Sequence, residues 1–267
     1  MELYADFGPD VALSRDEQTF SYSVDSGRGL RIIMLDTNCY GKGFIKDPTL
    51  LWLKGELQAA QAAGDRVITV SHQNLYAHNR LLSFGYQLYN NKELQPLLEQ
   101  YGVLCNLSGH ISIQSIMDGA VPEIVTSSLA VAPAQYGVLE YDGSALSYSA
   151  QETDVAKWAA SQGLENGELL DFAHYAEDFF MDNCRRQVAE MFAESELSDG
   201  DIVLLQESFA RLNLDYFSGR QCDLEAIADG LELWKAQDSG FMQRYLDSMC
   251  AANKDSRSLV LTPAEVE

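Results

Sequence analysis

The sequence predicts a mixed α/β unit over residues 1–150 followed by a mainly α-helical region over residues 151–267. Three observations carry that division. Short β-rich runs alternate with helical stretches up to about residue 150 and then stop. Beyond residue 152 the apolar residues recur at helical spacing, as in Leu169, Phe172, Ala173, Ala176, Phe179 and Phe180 and then Val188, Met191 and Phe192. The charge balance shifts at the same place, from 16 acids and 9 bases in residues 1–150 to 24 acids and 9 bases in residues 151–267.

The β-rich runs of the first part are 20–24, 31–35, 67–70, 103–107, 137–141 and 146–148. Two helices fall between them. For the first, Asp47 is the expected N-cap and Pro48 the first helical residue, Leu50, Leu53, Leu57 and Ala60 share a face, and Gly64 ends it. For the second, Asn90 or Asn91 caps a stretch whose apolar side is Leu94, Leu97, Leu98 and Tyr101, and Gly102 terminates it. Pro96 is expected to kink this helix or delay its start, because its ring clashes with the preceding turn. The order helix, strand 67–70, helix, strand 103–107 predicts parallel neighbours joined by a crossover. In the second part, Asp199-Gly200-Asp201 and Ser218-Gly219 read as breaks between helices, and the next β-rich run is 259–261. The aromatic clusters Phe179-Phe180, Tyr216-Phe217 and Phe241 with Tyr245 read as core of a helical unit packed on the sandwich or on a partner.

With 46% hydrophobic residues in 267, the chain can bury a substantial core. A formal charge of -22 and a pI near 4.4 oppose broad electrostatic attraction to nucleic acid or to an anionic membrane. Five scattered cysteines without a CxxC pair fit reduced thiols better than a disulfide framework or a structural zinc site. No run approaches the ~18 apolar residues of a membrane helix, and the acidic start, residues 1–10, lacks the pattern of a secretory signal. The expected compartment is the cytoplasm.

Chemistry is suggested by where two of the four histidines fall. His72 follows the run Val67-Ile68-Thr69-Val70, and His110 follows Val103-Leu104-Cys105-Asn106-Leu107, in Ser71-His72-Gln73-Asn74 and Ser108-Gly109-His110-Ile111-Ser112. Loops at the carboxyl ends of parallel strands converge on one crevice, so the two imidazoles could meet on one metal or one phosphate. The alternative is that each is an ordinary loop histidine with its own hydrogen bond. Asp36 reads as a turn former and His174 as a structural histidine in the helical region. Ser127-Ser128 lacks a nucleophile elbow, and no glycine loop of phosphate-cradling type is present.

The segments Phe20-Ser21-Tyr22-Ser23-Val24, Ile33-Met34-Leu35-Asp36-Thr37-Asn38, Val67 through Tyr76, Leu107-Ser108-Gly109-His110-Ile111-Ser112-Ile113 and Tyr136-Gly137-Val138, in this order and spacing, resemble the C-terminal half of calcineurin-like metallophosphoesterases. The resemblance covers about half of the chain. It implies a β-sandwich flanked by helices, with a dinuclear centre of divalent ions (Mn, Fe or Zn) at the carboxyl ends of the strands, hydrolysing phosphoesters. His72 matches the family's fourth ligand motif. The fifth is usually Gly-His-x-His; here Gly109-His110-Ile111-Ser112 keeps the first histidine, and Ser112, a poorer ligand than imidazole, replaces the second. Gln73 stands where many members have another histidine. The resemblance makes His72 and His110 the candidate metal ligands and Asn74, His78 and Ser112 candidates to contact substrate or support the ligands. No catalytic residue is assigned.

The family's first three motifs, Asp-x-His, Gly-Asp-x-x-Asp and Gly-Asn-His-Glu/Asp, are not found in the sequence. The expectation is an N-terminally truncated homologue, weak or inactive alone, with weak or absent metal binding, and with a partner chain or upstream segment completing the sheet. The alternative is a non-catalytic, degenerate binding or assembly module.

Overall fold

The computed structural model describes residues 9–39, 42–237 and 240–262. Its elements run β1 (Ser14–Arg15), β2 (Tyr22–Asp25), β3 (Leu30–Met34), β4 (Asn38–Cys39), β5 (Lys42–Gly43), α1 (Asp47–Ala63), β6 (Arg66–Val70), α2 (Asn91–Gln100), β7 (Asn106–Ser108), β8 (Ser115–Met117), β9 (Glu123–Val125), β10 (Gln135–Tyr141) and β11 (Leu146–Glu152). Then follow α3 (Val155–Ser161), α4 (Gly167–Leu170), α5 (Phe172–Met191), α6 (Asp199–Ser218), α7 (Ala228–Ala236), α8 (Phe241–Ala251) and β12 (Ser258–Leu261). The chain is thus mixed α/β with a helical second part.

Seven strands form the main sheet in the order β1-β2-β3-β6-β7-β9-β8, and its centre, β3-β6-β7-β9, is parallel. The crossovers are α1 and α2, as the alternation of helical and strand periods predicts. Leu53, Leu57 and Ala60 of α1 and Leu94 and Leu98 of α2 are buried with Ile33 and Val67 in one core. Gly64 closes α1 at φ 77°, a left-handed conformation that a side chain disfavours, and its N–H reaches the carbonyls of Ala60 and Gln61.

Several boundaries differ from expectation for identifiable reasons. Lys46, not Asp47, is the N-cap of α1, and Asp47 and Pro48 occupy the first turn, where a missing N–H has no intrahelical partner to lose. In α2 Pro96 sits inside the helix without delaying its start. The side chain of Asn90, the N-cap, does not cap the helix. It clasps the backbone of Ile45, whose N–H it accepts at 3.1 Å and whose carbonyl it donates to at 2.8 Å. The β7 ladder begins at Asn106, although Leu104 N–H already reaches the Val67 carbonyl at 2.8 Å. Asp199-Gly200-Asp201 is the first turn of α6, with the Ser198 hydroxyl accepting the Asp201 N–H at 3.1 Å.

A second sheet, β10-β11-β12, is antiparallel, and β12 returns after the helices to pair with β11 from Leu146↔Leu261 to Ser149↔Ser258. Between the sheets lies an open groove of about 450 Å³. Ile32, Met34, Val70 and Leu107 line it from the main sheet, and Leu139 and Tyr141 face them.

The helical region has its own core around Trp234, which is fully buried against Phe192 and Phe209 and donates its indole N–H to the Leu205 carbonyl at 3.1 Å. Phe180, Tyr216 and Tyr245 pack against that core, whereas Phe179 and Phe241 stack on Tyr175 and Tyr245 at the surface. The region is stitched to the strands by backbone and side chain alike. Gln114 N–H donates to Phe217, Gln114 Nε2 donates to Ser256, and Gln135 Nε2 donates to Ser218. All five cysteines are unbridged. Among the described residues no helix is long and apolar enough to cross a membrane.

Candidate functional site

Parallel pairing of β6 with β7 sets Thr69 against Asn106 and Val70 against Leu107. Both strands therefore end at the same edge, and the loop beyond each carries its histidine into the same space. Gly109 N–H donates to the His72 carbonyl at 3.1 Å and ties the two loops together. The rings meet: His110 Nδ1 lies 2.8 Å from His72 Nε2, with centroids 4.6 Å apart and planes at 68°. Tyr86 flanks His110 at 5.1 Å. His110 itself sits at φ 68° and Ser112 at φ 59°, left-handed conformations costing a non-glycine residue about 1 kcal/mol or more. Such a turn is held only where surrounding bonds over-determine it.

Those bonds radiate from one carboxylate. Glu123 of β9 is fully buried, and its Oε1 accepts from Leu75 N–H at 2.8 Å, Asn106 Nδ2 at 2.9 Å and Ser108 Oγ at 2.7 Å. Its Oε2 accepts from Tyr76 N–H at 2.8 Å and faces His78 Nε2 at 3.1 Å. These donors come from the strand and loops next to both histidines. Asn74 adds a second brace, donating from Nδ2 to Ser108 Oγ at 2.9 Å and to the Gly109 carbonyl at 3.0 Å. Gln73 is buried and accepts the Thr37 hydroxyl, and Gly43 leaves no room for a Cβ against its side chain.

His72 and His110 open into a cleft of about 760 Å³, shared with Asp36, Asn38, Lys42, Gln73, Phe84 and Tyr89. Burial, together with the neighbouring His110 charge, holds the His72 imidazolium below its ordinary pKa, so the ring keeps a lone pair at neutral pH. Asp36 lies in the cleft as a turn former: its two carboxylate oxygens accept Asn38 N–H at 3.0 Å and Phe20 N–H at 3.2 Å.

The other candidates are placed differently. His78 is buried away from this cleft with both ring nitrogens engaged, Nδ1 by Ser115 Oγ at 2.8 Å and Nε2 by Glu123. Asn74 supports the His110 loop, and Ser112 is not among the residues lining the cleft. His174, read as structural, is exposed at the start of α5, paired with Asp171 at 2.8 Å. Sequence reasoning missed Glu123, Asn106 and Tyr86. The available signal for Glu123 was an acid at the head of the apolar run Glu123-Ile124-Val125.

The implied divalent ion can be tested against this geometry. Two ligands at adjacent positions of an octahedral ion with bonds of about 2.1 Å stand about 3 Å apart, close to the observed nitrogen separation. The separation matches that of two adjacent ligands of one ion, and equally that of a hydrogen bond in which one ring donates to the other. Among the described residues no group of three His, Cys, Asp or Glu side chains could complete the coordination.

Residues 154–256 match the family model described as the C-terminal domain of cyclic nucleotide phosphodiesterase, a stretch that covers the helical region and stops short of β12. A crystal structure of a dimetal phosphatase from Danio rerio is similar at 13% identity and a TM-score of 0.43, over 55% of this chain and 59% of that one. The chain thus spans less than two thirds of that phosphatase. The comparison with curated protein sequences returns no match.

Proposed function

We propose that this chain is a phosphoesterase-related protein in which His72 and His110 share one divalent ion of the Mn, Fe or Zn type. The observation that carries the reading is the 2.8 Å approach of two imidazole nitrogens at the carboxyl ends of parallel strands. The match of residues 154–256 to a domain of a phosphodiesterase supports the same class. An ion held there would polarise a phosphoryl oxygen of a bound phosphoester. The protein's own part is to hold the two rings in register, through Glu123 and Asn74, and to keep His72 neutral. Two imidazoles bind a metal weakly, since catalytic sites use three or more protein ligands. The remaining ligands, carboxylates above all, would then come from outside the described residues, and activity of this chain alone would be low.

The test is a titration of the purified chain with Mn²⁺ and Zn²⁺, alongside hydrolysis of bis(p-nitrophenyl) phosphate. One weakly bound ion, lost in both His72→Ala and His110→Ala, is the expected result. Binding unchanged in both variants would remove the shared-ion reading, and robust turnover abolished by either would remove the incomplete-site reading.

A second reading, a non-catalytic binding or assembly module, is favoured by the open apolar groove between the two sheets. A partner chain seated there would complete the sandwich, and a concentration-dependent dimer that closes the groove would support it.

A further inference from the structure

We infer that a second cleft, between the 77–81 loop and α8, binds a small phosphorylated anion. This cleft, of about 650 Å³, is walled by the loop after β6, by β8 and by the C-terminal half of α8 with the turn that follows it. It lies on the seam between the strand unit and the helical region, and its lining shares no residue with that of the His72 cleft.

The charge distribution carries the argument. The chain has 40 acids against 18 lysines and arginines, so an arginine has carboxylates to spare as neighbours. The side chains of Arg80 and Arg244 nevertheless line this cleft without a hydrogen bond or ion pair among the described residues. Lys254 joins them from the rim, where it holds Asp118 at 3.3 Å with both side chains largely exposed. Asp247 is the other carboxylate of the lining and accepts Gln243 Nε2 at 2.7 Å. The lining sets Arg80, Arg244 and Lys254 against Asp118 and Asp247, with Glu123 behind His78, and Lys254 is paired with Asp118, so the two arginine forks are the donors left to a ligand.

Unpaired guanidinium groups present planar forks of donors that match phosphate oxygens two at a time, and neither arginine spends its fork on a carboxylate of the lining. The volume exceeds that of bare phosphate and falls in the range of small-molecule sites, so a phosphomonoester of sugar-phosphate size can enter and serves as the probe. The buried His78 is part of the lining, and its Nε2 faces Glu123, the carboxylate that braces both histidine loops. Binding of an anion here does not depend on the reading proposed for the first site.

The experiment is calorimetric titration of the full, chelator-treated chain with inorganic phosphate and with ribose 5-phosphate at constant ionic strength. Saturable one-to-one binding is expected, tighter for ribose 5-phosphate, and unchanged in the His72→Ala, His110→Ala double variant. Arg80→Gln and Arg244→Gln should each weaken it by about tenfold, the loss of one charge-assisted contact. Both arginines are exposed, and an unaltered circular dichroism spectrum verifies that the variants fold. Absence of saturable binding, binding that survives the double arginine substitution, or binding lost with the histidines would each overturn the assignment.

Discussion

Glu123→Gln probes the brace that positions both histidines while changing the shape of the side chain least. The carboxylate accepts five donors, three on Oε1 and two on Oε2. An amide keeps one acceptor oxygen. Its better orientation leaves that oxygen with Leu75, Asn106 and Ser108 and turns the NH₂ group toward Tyr76 and His78. His78 can adapt, since its ring can accept at Nε2 while donating from Nδ1 to Ser115 Oγ. Tyr76 N–H cannot, and a buried donor without an acceptor costs about 1–3 kcal/mol. The three remaining bonds also lose their charge assistance, at several tenths of a kcal/mol to about 1 kcal/mol each. The expected destabilisation is about 3–5 kcal/mol, a large share of a typical domain stability of about 5–15 kcal/mol. With a urea slope of about 2 kcal/mol/M, that is a midpoint lowered by about 2 M. Glu140→Gln, at an exposed position of β10, is the control and should shift the unfolding free energy by no more than about 0.5 kcal/mol. Circular dichroism against urea reads both. A Glu123→Gln midpoint indistinguishable from that of the control would refute the claim that this carboxylate holds the site together.

Gly230 of α7 packs directly on α6, where an added Cβ would stand 2.5 Å from the Leu204 carbonyl oxygen, so Gly230→Ala should force the helices apart. A loss of about 1–3 kcal/mol in urea unfolding is expected, and a stabilised variant would contradict the packing. Histidine titration by NMR should separate His72 from His174. Burial and His110 lower the pKa of His72, so its contribution to stability is complete above pH 6.5 and is lost as pH falls through the folded value. The hydrogen bond and charge of Asp171 raise that of His174, so its contribution is present below pH 6.5 and is lost as pH rises through the folded value. Asp171→Asn should return His174 toward 6.5 and leave His72 unmoved, and the reverse order of the two titrations would reject the assigned causes.

Local pattern determined much of this protein. The apolar runs, the leucine faces of α1 and α2 and the stops at Gly64 and Gly219 are set by neighbours within a few residues, and they are legible without a fold. The placement of His72 and His110 just beyond two such runs was legible for the same reason. What only the tertiary structure decided is how distant segments register. The 2.8 Å meeting of the imidazoles follows from the offset at which β6 pairs with β7, and no single run encodes that offset. The three-residue strands β8 and β9 are too short to show a period, so Glu123 looks like a surface acid until donors from residues 75–78 and 106–108 surround it. The pairing of β12 with β11 and the separate Arg80 cleft likewise depend on residues more than a hundred positions apart, and the burial of His78 on Ser115 and Glu123 some forty positions away. A buried carboxylate or an unpaired arginine is defined by what surrounds it in space, and those surroundings exist only once the chain has folded.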